Sequence, residues 1–132
     1  GETDAQAMDA AARHLLGKHD VRACMTGEPG GMDTVRTVCR AGVMRRGPYV
    51  VFTVAADGFL YNMVRILAGT LLQVGRGKLA AGALPAILEG GERAKAGDTL
   101  PARGLYLNRV TYPGIPAADS PQGPFSQNLF CD

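Results

Sequence analysis

The chain is short of cysteine, histidine and uninterrupted apolar sequence, and each shortage closes off a class of protein. Its 132 residues include three cysteines, Cys24, Cys39 and Cys131, far apart and with no Cys-x-x-Cys pair. An odd, scattered set fits neither a disulfide framework nor a zinc site. Reduced thiols are expected, with Cys24 and Cys39 as small buried apolar groups and Cys131 as a tail thiol. The two histidines, His14 and His19, are too few for a closed metal site even with Asp20 beside them, and no metal is expected. No run of about 18 apolar residues is free of charge, which argues against a membrane-spanning helix. No charged-then-apolar leader opens the chain, so cytoplasm is the expected compartment. No glycine-rich phosphate loop precedes a helix, which leaves a small-ligand regulatory domain with little support.

What the chain does have is charge of one sign in one place. The formal net charge is only +2, yet residues 34 to 109 carry eleven basic and four acidic side chains, whereas residues 1 to 33 carry three and six. A basic block of this size suits a polyanion, because each lysine or arginine that neutralises a phosphate releases a condensed counterion. Charge runs of this kind more often solvate a surface than bind nucleic acid. Arg36, Arg40, Arg45, Arg46, Arg76 and Lys78 are the candidate RNA contacts.

Hydrophobic periodicity and turn residues outline the elements. A capping-box signal, Thr3-x-x-Gln6, opens a helix with the stripe Ala5, Met8, Ala12 and Leu15, and Gly17 stops it. An extended piece is expected near Val21 to Thr26, then a loop at Gly27 to Gly31. Two strands, about Val35 to Arg45 and Tyr49 to Ala56, join through a tight turn at Arg46-Gly47-Pro48. Strict alternation would send Arg36 and Arg40 out on one side of their strand. A long helix from about Leu60 to Val74, a short one from Pro85 to Gly90 and a last strand over Gly104 to Tyr112 complete the order. A hairpin between helices indicates an α+β domain, a mostly antiparallel sheet with helices packed on one face. One domain over residues 1–113 is expected, with residues 114–132, rich in proline, serine and glutamine, as a flexible tail.

The long helix holds the most informative residue. Leu60, Met63, Val64, Leu67, Leu71 and Val74 recur at the three-and-four spacing of a buried stripe, and Arg65 is the one ionised side chain between Gly58 and Gly75. Asn62, Arg65, Gly69 and Gln73 share another face, so a guanidinium, an amide and a glycine notch line up as a cleft floor would require. The alternative is an arginine that lays its stem on apolar surface with its head in water.

The block from Phe59 to Lys78, followed by Arg93, by Pro101-Ala-Arg-Gly-Leu-Tyr-Leu107 and by Val110-Thr-Tyr-Pro113, resembles the C-terminal half of TruA-type tRNA pseudouridine synthases. The resemblance covers roughly residues 5 to 113 and departs from the usual pattern at Val21 to Cys24 and at Leu100. It implies a pseudouridine synthase α+β fold, and an enzyme that isomerises uridine to pseudouridine at positions 38 to 40 of the tRNA anticodon stem-loop without cofactor or metal. It also implies that two such halves meet over a basic cleft in a homodimer. Arg65 matches the basic residue that pairs with the catalytic aspartate, and Leu105 matches the leucine that packs by the uracil. Phe59 and Asn62 support the site. The aspartate itself belongs to an Arg-Thr-Asp-Ala-Gly-type motif in the N-terminal half. None of Asp4, Asp9, Asp20, Asp33, Asp57, Asp98, Asp119 and Asp132 has that context. The chain reads as half of the enzyme, inactive alone; the alternative is a non-catalytic RNA-binding or dimerisation module of the same fold.

Overall fold

The computed structural model describes residues 3–101 and, beyond them, the strands Arg109–Val110, Ala118–Asp119 and Ser126–Phe130. Helix α1 spans Ala5–Arg13. Its cap is Asp4 rather than the expected Thr3: the Asp4 carboxylate accepts from the Ala7 amide at 3.0 Å, which leaves one fewer orphan donor in the first turn. Strand β1, Gly17–Asp20, follows. The extended piece expected at Val21 to Thr26 is instead a 3₁₀ turn at Arg22–Cys24. The Asp20 carboxylate accepts from the Arg22 amide and the Thr34 hydroxyl, and this local bonding folds the chain back where a strand would otherwise continue.

Strands β2, Val35–Arg46, and β3, Tyr49–Ala56, form a hairpin closed at Gly47, whose φ of +60° suits a tight two-residue turn. Helix α2 is Met63–Gly75 and α3 is Leu84–Gly90. The sheet order is β1, β2, β3, Ser126–Phe130, with the first two pairings antiparallel and the last parallel. Arg109–Val110 (β4) pairs with Ala118–Asp119 (β5), and Ser126–Phe130 is β6. Most of the strand expected over Gly104 to Tyr112, and much of the segment expected to be a flexible tail, lie outside the described residues. The α+β architecture is as the sequence indicates.

One face of the sheet carries the core. Val38, Val43, Phe52, Val54 and Ala56 pack with Met8, Ala11 and Ala12 of α1, Met63, Ile66, Leu67 and Leu71 of α2, and Leu84 and Leu88 of α3. Every apolar residue of the predicted α2 stripe, from Leu60 to Val74, is buried.

The register of β2 shifts between Val38 and Arg40, where Cys39 is the extra residue of a bulge. Val38 and Val43 are five apart yet both buried, which uninterrupted alternation forbids and a bulge produces. Arg36 therefore shares the helix-facing side with Val38, while Arg40 leaves on the opposite side. The expected common face for these two arginines does not exist.

Cys24 is buried and free, its thiol pushed up to about 12 by burial, with Arg93 pulling the other way. Cys39 is exposed and disulfide-bonded, not the buried reduced thiol expected, and its partner lies outside the described residues. Among the described residues no helix is long and apolar enough to cross a membrane, and no cluster of three or more metal-ligating side chains occurs.

Candidate active-site face

The turn into α2 is built from polar contacts on both sides. Asp57 extends the hairpin beyond its last ladder pair: its amide donates to the Thr37 carbonyl at 3.0 Å, and its carboxylate accepts from the Thr37 amide at 2.9 Å. Phe59 is half-buried against the core and Tyr61 is exposed. Asn62 then adopts φ 61° and ψ 11°, the only non-glycine with positive φ among the described residues. That conformation costs about 1 kcal/mol or more and persists where surroundings over-determine it. Here both ends of the side chain are held. Its Nδ2 donates to Thr26 Oγ1 at 3.1 Å, and its Oδ1 accepts from Arg65 Nη1 at 3.2 Å. The αL residue also explains why the helix begins at Met63, three residues later than the periodicity alone suggests.

Arg65 is half-buried on the first turn of α2. Its Nε donates to the Leu100 carbonyl at 2.6 Å, while the Leu100 amide donates back to the Arg65 carbonyl at 3.2 Å. Nη2 has no hydrogen-bond partner among the described residues. The guanidinium is thus held at two of its three nitrogens, which fixes its plane, and Nη2 is the nitrogen that a carboxylate could take. A freely snorkelling head would not be tied to a backbone carbonyl 35 residues away.

The predicted glycine notch exists, and a chain segment fills it. Residues 97–100 cross α2 so closely that a Cβ on Gly69 would fall inside the Asp98 carbonyl oxygen, and one on Gly97 would stand 2.6 Å from the Thr70 nitrogen. The stripe of Arg65 and Gly69 is in this stretch a docking track for the irregular segment 97–100. Leu105, the expected uracil neighbour, lies outside the described residues.

The six candidate RNA contacts do not form one patch. Arg36 Nη1 donates to the Asp33 and Val35 carbonyls at 2.9 and 2.7 Å. Arg45 lies on the helix-facing side and donates to the Thr3 carbonyl. Since the Asp4 amide also donates to the Gly75 carbonyl at 2.8 Å, Thr3 and Asp4 tie the hairpin end, with Arg45 and Arg46, to the C-terminal end of α2, with Arg76 and Lys78. Arg40, Arg46, Arg76 and Lys78 are exposed. Arg36 sits nine residues before Arg45, roughly 30 Å away along the strand, and Arg65 is about 16 Å from Arg76 along the helix. A cavity of 610 Å³ between Thr3, Gln6, Asp9 and Arg45 belongs to the seam between α1 and β2 and is not the Arg65 site.

Arg93, Thr70, Gly97 and Thr26 all touch this face or its supports, and sequence reasoning gave none of them a role. The available signals are the place of Arg93 in the family-like pattern and the glycines at positions 69 and 97, since glycine permits close approach of a second backbone.

An α+β domain that offers a half-fixed arginine at one end of a buried helix and exposed cations at the other is suited to act on a polyanion. A family model described as tRNA pseudouridine synthase matches residues 11–113, and the chain belongs to that family. It is 51% identical over 110 residues to tRNA pseudouridine synthase A of Moorella thermoacetica, covering 83% of this chain and 44% of the relative. The corresponding protein of Acetivibrio thermocellus is 45% identical over 109 residues (83% and 45%), and that of Bordetella petrii 43% over 110 (83% and 41%). The chain spans less than half the length of these relatives.

Proposed function

We propose that this chain is the C-terminal cleft half of an enzyme that isomerises uridine to pseudouridine at positions 38 to 40 of the tRNA anticodon stem-loop. The observation that carries the reading is Arg65, tied through Nε to Leu100 and through Nη1 to Asn62, with no hydrogen-bond partner for Nη2 among the described residues. A carboxylate supplied by the N-terminal half would be held there ionised, because an adjacent guanidinium favours its charged form. The carboxylate attacks C1′ as the C1′–N1 bond breaks; the freed uracil turns, C5 bonds to C1′ as the carboxylate departs, and C5 loses a proton while N1 gains one, so the product is an isomer of the substrate. Extracting the base from the stack costs about a few kcal/mol, which contacts to the flipped uracil offset. Leu105 packs by that uracil, and Phe59 and Asn62 support the arginine.

Arg40, Arg46, Arg76 and Lys78 contact phosphates, with Arg36 and Arg45 as weaker contributors because their guanidinium groups are already engaged by carbonyls. The full-length protein is a cytoplasmic homodimer in which the N-terminal half completes the cleft. The chain alone, incubated with unmodified tRNA, gives background pseudouridine, and the enzyme containing both halves gives turnover. Turnover by the isolated chain would place the attacking group among its own residues. An inactive two-half protein that still binds tRNA would make this fold a binding module.

A further inference from the structure

Residues 97–100 are neither helix nor strand, yet each of the four is held. The Gly97 amide donates to Thr70 Oγ1 at 2.8 Å, and its carbonyl accepts from Arg93 Nη1 at 2.8 Å. Asp98 has its carbonyl against Gly69. Thr99 Oγ1 accepts from Arg93 Nη2 at 3.1 Å. Leu100 is bonded to Arg65 through both its carbonyl and its amide. Irregular backbone ordinarily satisfies its polar groups with water at the surface; here side chains and helix backbone do so at Gly97 and Leu100, and Gly97 and Thr70 are buried.

Thr70 is tuned to this task. Its hydroxyl donates to the Ile66 carbonyl at 2.8 Å, which directs the oxygen lone pair at the Gly97 amide. Arg93 reaches two successive parts of the segment through its two terminal nitrogens, a fork that lysine does not reproduce. Gly69 and Gly97 remove the side chains that would otherwise separate the two backbones.

We infer that Arg93, Thr70 and the Gly69–Gly97 contact are positioning elements that set the orientation of the Arg65 guanidinium through the Leu100 carbonyl. The inference rests on the proposed catalytic role of Arg65. A segment pinned at four successive residues has one place to be, and a displacement of about 1 Å in a reacting constellation is enough for a large loss of rate.

The test uses the enzyme with both halves and measures kcat and KM for unmodified tRNA together with the thermal midpoint. Gly69→Ala drives a methyl group into the Asp98 carbonyl and lowers kcat about tenfold or more, with KM within about twofold. Arg93→Ala does the same, and Arg93→Lys recovers only part of the loss. Thr70→Ser, which keeps the hydroxyl, stays near the parent, whereas Thr70→Val falls with Arg93→Ala. Gly82→Ala, at an exposed glycine with nothing within 4 Å of where the added methyl group would stand, is the control and leaves kcat unchanged. Unchanged kcat in Arg93→Ala and Thr70→Val overturns the inference, as does a loss fully accounted for by the unfolded fraction, or a change confined to KM. Should Gly69→Ala not fold, the Thr70 pair and the Arg93 pair decide. Arg65→Met separates the two readings: if it is inactive while Arg93→Ala and Thr70→Val are active, only this inference fails, and if it is active, the catalytic reading of Arg65 fails.

Discussion

The two ends of helix α2 do opposite things with the same scaffold. At its N-terminal end a left-handed Asn62 bonds to a half-buried Arg65, Arg65 bonds in turn to Leu100, and Gly69 lets the backbone of residues 97–100 pass close by. At its C-terminal end Gly75 meets the Met8 side chain, whose sulfur lies 2.6 Å from where a Cβ would stand, and Arg76 and Lys78 project into water. Polar precision and apolar adhesion are thus separated by about three turns of helix. The first end fixes an orientation, which suits chemistry. The second is packed chiefly through apolar side chains, with one backbone hydrogen bond from the Asp4 amide to the Gly75 carbonyl, and leaves Arg76 and Lys78 exposed, which suits a binding surface whose charges act at a distance.

That contrast is broken most severely by Arg65→Met. Methionine replaces much of the apolar stem, so the thermal midpoint should stay close to wild type, while kcat of the two-half enzyme falls on the order of a thousandfold, about 4 kcal/mol at the transition state. Equal losses of stability and rate would make Arg65 a structural residue like any other. Next in size, Met8→Ala should cost about 2–5 kcal/mol of stability, because Met8 is 5% exposed in the seam with Gly75. In the remaining folded enzyme kcat should hardly change; a matching fall in kcat would mean the two ends are not independent.

Asp9 on α1 offers a smaller test of the same seam. Its carboxylate accepts from the Val43 amide at 2.8 Å and from Arg13 Nε at 3.0 Å. The Val43 hydrogen bond is the main reason its pKa lies below the usual carboxylate value; burial opposes it and Arg13 adds to it. With the folded pKa depressed, the contribution to stability is complete above the unfolded value and lost as pH falls through the folded one. Asp9→Ala should therefore cost about 1–2 kcal/mol near neutral pH and less in acid, with denaturant midpoints at the two pH values as the measurement. An identical penalty at both would exclude the ionised carboxylate as the source.

The smallest effects belong to the exposed cations. Removing Arg46, Arg76 or Lys78 singly should lower the slope of log affinity against log salt by about 0.7–0.9 per charge while kcat at saturating tRNA moves less than about threefold. A slope that ignores all three substitutions would take the RNA away from this end of the helix.

Element type was readable for the longer elements because periodicity is a local property: the stripe from Leu60 to Val74 must be a helix with a buried face, and the β2–β3 hairpin must turn at Gly47; the short strand Gly17–Asp20 and the turn at Arg22–Cys24 were not. The family pattern, carried on contiguous residues, was likewise legible, and it singled out Arg65. Boundaries that depend on one side chain's choice of partner were not: Asp4 took the cap that Thr3 was expected to supply, and Asp20 bonding bent residues 22–24 into a turn. Nor was the face reversal at Cys39, since a bulge is decided by which two strands pair and where.

The sequence by itself determined a helix with one arginine in its apolar length and a glycine one turn further on. Only the tertiary structure decided what that notch receives, because Leu100 and Arg65 are 35 residues apart and their bond exists only once α2, the turn at Arg93 and the backbone of residues 97–100 have packed together. The same holds for the basic block: its charge is a sum over residues, but whether two cations share a surface depends on strand pairing and helix packing, and here the bulge at Cys39 puts Arg36 and Arg40 on opposite sides of one strand.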